Sequence, residues 1–175
     1  IWPKKVVNYK TVMSDAASGF TSVTYPFPVI RMADLYLMYA EALNEKGEDY
    51  ATVLPWIDMV RERSGLQGVK ESWDQYVGNS KYATQTGLRQ IIMQERRIEL
   101  AFEGHYFWDV RRWKTATTEL TQPLTGWKVR YGETDVDYYS ENLVLVRDFT
   151  PKMYFWPIDI GELRKDPNLV QNYGW

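Results

Sequence analysis

The sequence predicts a mainly α-helical protein in which antiparallel helix pairs form the scaffold, with a few short strands and long irregular loops. Between residues 29 and 103, apolar side chains recur at helical spacing in three separate stretches. The first two stretches are joined by only a few residues, which is typical of an antiparallel helix pair. Beyond residue 115 the helical period is lost, and short extended segments bounded by turn residues replace it.

The first helix is predicted over residues 29–46. Its apolar residues form two adjacent bands, so we expect it to lie centrally with neighbours on two flanks. We expect Gly47 to end it, because glycine adopts the left-handed conformation found after many helices. The second helix is predicted to be capped by Thr52, to tolerate Pro55 in its first turn and to end at Gly65.

A polar insert, residues 66–85, separates this pair from a third helix. Thr86 is predicted to cap that helix, Leu88–Glu103, and a short fourth helix is predicted over residues 106–114. The chain has no linker and no low-complexity tract, so residues 1–175 are predicted to form a single unit. Extended segments are expected over residues 4–10, 126–131, 143–147 and 152–156.

The composition excludes several functional classes. Lys and Arg number 21 against 23 Asp and Glu, and the net charge of −2 provides no overall field that would attract nucleic acid. No apolar run approaches the roughly 20 residues that span a bilayer. The absence of cysteine removes thiolate nucleophiles and Cys-ligated metals. A single histidine, His105, makes a His-based metal site or a Ser-His-Asp triad hard to build, so no metal and no cofactor are predicted.

The densest charged segment, residues 94–113, contains three glutamates at i, i+4 and i+8 that share one helix face. Two carboxyls about 5–9.5 Å apart cleave glycosidic bonds when one of them has a raised pKa. The neighbouring arginines would lower these pKa values instead, which favours an ion-pair network that ties the third helix to the fourth. The predicted members of this network are Glu95, Arg96, Arg97, Glu99, Glu103, Asp109, Arg111 and Arg112.

Two smaller patterns each have two interpretations. His105 could act as a proton shuttle, but the interpretation we favour is a hydrogen bond to a helix-end carbonyl or a neighbouring acid. Asp135, Asp137 and Glu141 could gather oxygen ligands for calcium. They lack the glycine and the terminal glutamate of the EF-hand pattern, which favours a solvated loop.

Aromatic residues are abundant, with 8 Trp, 13 Tyr and 6 Phe, and some of them lie outside the helical stripes. Their flat rings pack on the C–H face of a sugar, and amides at the edge can bind its hydroxyls. The polar insert provides the first candidate platform, Trp73, Tyr76 and Tyr82, with Gln75, Asn79 and Lys81 as possible polar partners. A second candidate comprises Trp127, Tyr131, Tyr138 and Tyr139. The alternative is that these rings fold back over the helices as a satellite cluster.

Three stretches of the sequence, in this order, resemble the RagB/SusD family of surface glycan-binding lipoproteins. The first, residues 25–45 followed by residues 60–66, is similar to the opening helix of the family's C-terminal region. The second, residues 95–113, runs from a Glu-Arg-Arg helix through Phe-Glu-Gly-His to Asp-Val-Arg-Arg-Trp. The third combines Trp156-Pro157-Ile158 with Asp166-Pro167-Asn168-Leu169 and the final Gln171-Asn172-Tyr173-Gly174-Trp175.

The resemblance implies a tetratricopeptide-like helical scaffold that captures oligosaccharides without cleaving them. It implies delivery of the glycan to a SusC-like TonB-dependent transporter, at the extracellular face of the outer membrane. Family members are much longer than this chain and carry an N-terminal lipid anchor that is absent here, so we expect a C-terminal region. No family binding residue is carried over to a position of this sequence, because the matching motifs belong to the scaffold.

Three functional hypotheses follow from the sequence. The leading one is a binding module for the capture of oligosaccharide or polysaccharide. The second is a helical interaction scaffold that docks on the transporter with no sugar contacts in this segment. The third is a glycoside hydrolase, which would need an acid in an apolar cleft, whereas the acids here have arginine neighbours.

Overall fold

A computed structural model describes residues 4–13, 19–128 and 134–175. Its Cα positions divide the chain into two compact units, Ile1–Tyr106 and Phe107–Trp175. The prediction of one unit over residues 1–175 stays a prediction. The mainly α-helical fold class is confirmed, since helices predominate and strands are limited to two short antiparallel pairs among the described residues.

The predicted helix pair is present in the first unit. Helix α1 spans Met32–Lys46 and helix α2 spans Tyr50–Arg63. Gly47, with φ of 89°, ends α1 in the left-handed conformation, as the sequence predicted. The predicted cap of α2 is wrong: Asp49, not Thr52, is the capping residue, and its carboxylate accepts a hydrogen bond from the Thr52 amide at 2.8 Å.

The polar insert is largely helical, in short pieces. Helix α3 spans Val69–Ser72, a single π-helical segment follows over Trp73–Val77, and a 3-10 turn spans Lys81–Ala83. Helix α4 then spans Gln85–Glu99 and is capped by Thr84 rather than by Thr86, with the Thr84 hydroxyl accepting from the Gly87 amide at 3.1 Å.

The end of α4 lies four residues before the predicted one. The chain leaves the helix at Leu100, and Phe102 and Gly104 both adopt positive φ angles, of 66° and 83°. The carbonyl of Glu99 accepts hydrogen bonds from the side chains of Lys5 and of Arg31. Because the last carbonyls of a helix have no partner within it, such side-chain donors stabilise this early end.

The hydrophobic core of the first unit lies between α1, α2 and α4, and it is extended by residues of the insert. Leu37, Ile57 and Ile92 are fully buried at its centre, one from each long helix. The end of α1 and the start of α4 are also joined by two reciprocal hydrogen bonds, each from a side-chain amide to a backbone carbonyl. The Asn44 side chain donates to the Gln85 carbonyl at 3.1 Å, and the Gln85 side chain donates to the Asn44 carbonyl at 2.7 Å.

The first described residues form a 3-10 turn at Lys4–Val6, followed by strands β1, Val12–Met13, and β2, Phe20–Thr21, paired antiparallel. The predicted strand over residues 4–10 is therefore wrong. The Lys5 side chain binds carbonyls at the end of α4, and this tertiary contact outweighs the local preference of a Val-Val pair for extended structure.

The remaining helices and strands are short. They are helices α5, His105–Arg112, α6, Ala116–Glu119, α7, Asp135–Tyr138, and α8, Ile160–Lys165, with strands β3, Leu124–Trp127, and β4, Glu141–Leu145. Strands β3 and β4 pair antiparallel, close to the two segments predicted at 126–131 and 143–147. The piece predicted as extended at 152–156 instead contains a 3-10 turn, Pro151–Tyr154. Helices α6, α7 and α8 were not predicted, and α7 occupies part of the segment expected to be a solvated loop.

Candidate functional site

The charged face of α4, together with Glu103 just past its end, forms an ion-pair network whose partners come mainly from the first 63 residues. Arg31 donates from Nε to Glu103 Oε2 at 2.9 Å, and from Nη2 to Glu103 Oε1 at 2.8 Å. Its Nη1 also donates to Glu99 Oε1 at 2.8 Å, and Lys5 pairs with Glu103. Arg63 binds the other Glu99 oxygen at 2.7 Å. These cations hold the start of α1 and the end of α2 against the end of α4.

Two further pairs join α4 to the other long helices. Arg96 is buried, and its Nη1 donates to Asp34 Oδ1 on α1 at 2.8 Å. Arg61 of α2 pairs with Glu95 and also donates from Nε to the Gln67 carbonyl at 2.8 Å. The sequence located the three glutamates of this network and Arg96. It did not identify the partners Lys5, Arg31, Asp34, Arg61 and Arg63. These residues lie far from α4 along the chain, so no local sequence pattern indicated that they pair with it.

The network opposes the glycosidase interpretation at Glu103. Burial would raise the pKa of this carboxyl, but hydrogen bonds from Arg31 and Lys5 outweigh that effect and hold the pKa below its ordinary value. A general acid for glycoside cleavage needs the opposite shift. The same hydrogen bonds raise the pKa of Arg31, chiefly through Glu103.

The remaining predicted network members make different contacts. Arg97 packs its guanidinium on the ring of Tyr106 at 4.9 Å. In the second unit, Arg112 pairs with the buried carboxylate of Asp109 at 2.8 Å, within α5 itself. Arg111 lies over the Phe107 ring at 3.5 Å, and burial lowers its pKa. The predicted tie between the third and fourth helices stays a prediction.

The aromatic insert does not form one continuous platform. The ring of Tyr82 is buried in the hydrophobic core with only 5% exposure, so it has no free face for a sugar, and its hydroxyl donates to Asp74 Oδ1 at 2.8 Å. This corrects the expectation that Tyr82 contacts ligand, and for this ring the satellite-cluster alternative describes its position. Tyr76, in contrast, is 72% exposed.

Trp73 lines a groove of about 380 Å³ between the insert and α4. The indole is half-buried against the core, and the ammonium of Lys81 lies 5.5 Å from its ring centroid. The other side chains of this groove come from α4. We call it the Trp73 groove, and it is lined by Trp73, Lys81, Gln90, Ile91, Gln94 and Glu95.

Gln90 and Gln94 were not predicted as site residues. They are exposed and stand four residues apart, and this i, i+4 spacing of two amides was the available signal. The predicted polar partners lie elsewhere. Gln75 lines a more open depression with Asp58 and Lys70, and the Asn79 side chain accepts a hydrogen bond from the Lys81 amide at 3.1 Å.

The second aromatic candidate is brought together in the second unit. Trp127 and Tyr139 meet edge to face with ring centroids 5.2 Å apart, and Tyr138 and Tyr139 meet at 5.0 Å. Trp127 and Tyr139 are well exposed. Tyr131, the fourth predicted member, lies outside the described residues.

Metal binding and membrane insertion are two further possibilities on which the structure bears. Within residues 4–13, 19–128 and 134–175, no three acidic or histidine side chains are grouped so that they could hold a metal ion. Asp135, Asp137 and Glu141 all fall in that part of the chain. His105 is the first residue of α5. Among the described helices, none combines the length and the apolar character needed to cross a membrane.

Comparison with known proteins assigns the chain first to a structural class, by its fold, and then to a family. Two solved structures share the helical, tetratricopeptide-like arrangement. BT4246 superposes with a TM-score of 0.76 at 27% identity, over 90% of this chain and 25% of that protein. A SusD-like protein from Bacteroides fragilis superposes with a TM-score of 0.69 at 30% identity, over 88% of this chain and 28% of that protein.

The family model of the SusD family matches residues 1–175. SusD-like protein P25 of Formosa agariphila is 39% identical over 144 residues, which cover 82% of this chain and 23% of that protein. The chain belongs to the SusD family, and it spans about a quarter of the length of these relatives. Proteins of this family are in general non-catalytic glycan-binding partners of TonB-dependent transporters, and typically outer-membrane surface lipoproteins.

Proposed function

We propose that this chain takes part in the non-catalytic capture of an oligosaccharide or polysaccharide at the bacterial cell surface. The captured glycan is passed to a SusC-like TonB-dependent transporter of the outer membrane. A lipid anchor carried by another part of the protein holds it at the extracellular face. The observation that carries this proposal is the match of the whole chain to the SusD family.

The Trp73 groove is the site at which we propose that the glycan binds. A half-buried indole offers apolar area to the C–H face of a sugar ring at little cost in conformational entropy. Gln90 and Gln94 stand at the edge of the groove, and each amide can both donate to and accept from a hydroxyl. Tyr76, Gln75 and Asn79, from the same insert, are proposed to contact the parts of a longer glycan that extend beyond the groove.

Isothermal titration of the purified chain with a panel of polysaccharides tests this site. We expect Trp73→Ala to weaken binding at least tenfold, because truncating a central aromatic anchor typically costs about 2 kcal/mol. Since Trp73 also packs on the core, Gln94→Ala is needed as a second variant that changes only an exposed side chain. It should weaken binding about threefold and leave the unfolding midpoint unchanged.

The matched control is Trp127→Ala, which removes an exposed indole of the second unit. If the Trp73 groove holds the glycan, Trp127→Ala keeps wild-type affinity. Loss of binding in Trp127→Ala with full binding in Trp73→Ala and Gln94→Ala would instead assign the sugar to the Trp127, Tyr138 and Tyr139 cluster.

A second candidate function is a helical scaffold that docks on the transporter and makes no sugar contact in this segment. Helix α1 favours it, because one face of this helix leaves apolar side chains uncovered. The exposed residues on this α1 face are Met32, Leu35, Met38 and Tyr39. Such a contiguous apolar patch is typical of an interaction surface.

The double substitution Leu35→Lys and Met38→Lys separates the two functions. As a scaffold, the protein would lose capture of a co-expressed SusC-like transporter while keeping its unfolding midpoint and its glycan affinity, if any. As a control, Glu41→Lys makes a similar charge change on α1 without removing an apolar side chain. Transporter capture that survives the double substitution would show that this face is not the docking surface.

The absence of cleavage is part of the proposal. The Arg31 and Lys5 pairs hold Glu103 ionised, which leaves it without the proton that a general acid must donate. Incubation with a fluorescently labelled oligosaccharide should return the substrate at its full length. Appearance of shortened products, abolished by Glu103→Gln, would overturn the non-catalytic assignment.

A further inference from the structure

We propose that the Trp73 groove selects glycans that carry acidic groups, and that Lys81 recognises the acidic group. This inference rests on the proposed function, since it assumes that the groove binds a glycan. It goes beyond that function by naming the chemical class of the ligand: a uronic acid or a sulfated sugar in place of a neutral one.

The position of Lys81 is fixed by several contacts. Its amide donates to Asn79 Oδ1 at 3.1 Å, and its carbonyl accepts from the Thr84 hydroxyl at 3.3 Å. Gly87 lies so close that a Cβ there would come within 2.1 Å of the Lys81 carbonyl and 2.8 Å of its Cγ. The side-chain stem therefore runs along the first turn of α4, and its ammonium group reaches the Trp73 ring at 5.5 Å.

The charge balance of the groove leaves the Lys81 ammonium without a carboxylate. Glu95 is the acidic residue of the wall, and Arg61 neutralises it. The neighbouring Asp74 is engaged by Lys70 and by the Tyr82 hydroxyl. Within the part of the chain that the structure describes, Lys81 forms no ion pair, and its cation–π contact with Trp73 is the interaction that it would exchange on binding.

This arrangement discriminates between neutral and acidic sugars. A neutral ring that stacks on the indole must displace the ammonium and gives it no new partner. A carboxylate or sulfate on the ring instead accepts charge-assisted hydrogen bonds from the displaced ammonium. The preference should therefore disappear when the charge of Lys81 is removed, while stacking on Trp73 persists.

The experiment uses two matched pairs of probes with the purified chain at low ionic strength. Polygalacturonate is compared with its methyl-esterified form, and dextran sulfate with dextran. We expect at least one acidic member to bind about fivefold more tightly than its neutral counterpart, with the difference shrinking as salt is raised. Lys81→Gln should remove this difference and leave the affinity for the neutral member equal or higher.

Lys46→Gln is the matched control, because it makes the same charge change at an exposed lysine on α1 that lies outside the groove. It should keep the wild-type preference. If Lys46→Gln and Lys81→Gln reduce the preference equally, overall charge explains it and the inference fails. If neutral glycans bind and neither acidic probe binds more tightly, the inference fails while the proposed function stands. If no glycan of the panel binds the folded chain, the proposed function fails and the inference fails with it.

Discussion

Arg31 and Glu103 are joined by two parallel hydrogen bonds, at 2.9 and 2.8 Å, which is the bidentate geometry that only a guanidinium offers to a carboxylate. Arg31 is the residue immediately before α1, and Glu103 lies just past the end of α4. The pair therefore fixes where one helix starts relative to where the other ends. Partly buried pairs of this kind specify docking geometry more than they add net stability.

Arg31→Lys is expected to lower the free energy of unfolding by about 1 kcal/mol, since a lysine keeps the charge but cannot bind both oxygens. Urea denaturation followed by circular dichroism measures this. Arg89→Lys is the matched control: Arg89 holds Glu45 with similar bidentate geometry at an exposed position, where ion pairs contribute little. Equal losses in both variants would mean that the Arg31 pair has no special role.

The stability of the first unit should depend on pH through Glu103. Its folded-state pKa lies below the ordinary value of 4.5, so the carboxylate contributes stability that is fully present above the unfolded pKa. That contribution is lost as the pH falls through the folded pKa. The difference in unfolding free energy between wild type and Glu103→Gln should be constant from pH 7 to about pH 5 and shrink below that.

Glu162→Gln provides the control for this pH profile, because Glu162 pairs with Lys165 at an exposed position of α8. Its difference from wild type should stay small throughout. A difference for Glu103→Gln that is unchanged between pH 7 and pH 3 would contradict the direction of the pKa shift.

Arg96→Met should destabilise the first unit by about 3 kcal/mol, because it leaves the Asp34 carboxylate largely buried without its cation. Chemical denaturation measures the loss. The double variant Arg96→Met with Asp34→Leu should recover most of it, since apolar side chains can replace a buried pair at little cost. If the double variant is as unstable as the single one, packing rather than the uncompensated charge explains the effect.

Gly87→Ala should destabilise the protein, although alanine in place of glycine usually stabilises a helix by up to about 1 kcal/mol. The new Cβ would lie 2.1 Å from the Lys81 carbonyl, so the turn that carries Lys81 must move. The same variant should weaken the binding of acidic glycans. Thr86→Ala, one residue earlier at an exposed position, is the control and should leave both properties near wild type. A more stable Gly87→Ala variant would show that the turn is free to shift.

The sequence was sufficient for the helical scaffold and insufficient for the ends of its helices. Apolar spacing identified the core positions Leu37, Ile57 and Ile92, so α1, α2 and α4 were predictable from local pattern. It also placed Leu35 and Tyr39 in the second apolar band of α1, and both are exposed. The end of α4 depends on Lys5 and Arg31, which bind its last carbonyls from distant parts of the chain. Helices α6 and α7 have four residues each and α8 has six, too few for a clear apolar period, and they were missed for that reason.

The candidate site was likewise predictable from the sequence only in part. Trp73 was predicted because it stands outside the helical stripes, and the structure places it in a groove. Tyr82 has the same sequence context, yet it is buried, because the 3-10 turn directs its ring into the core. In the sequence, Gln90 and Gln94 have the pattern of ordinary solvent-facing residues of α4. Only the folding of the insert against that helix turns their surface into the wall of a groove.

The reciprocal hydrogen bonds between Asn44 and Gln85 have a consequence for protein engineering. They join the last turn of α1 directly to the first turn of α4. Within the segment that these two residues enclose, residues 74 to 80 are exposed and lie between Trp73, which packs on the core, and the buried ring of Tyr82. This stretch is a natural position for transplanting loops of other lengths and specificities while the three long helices stay unchanged.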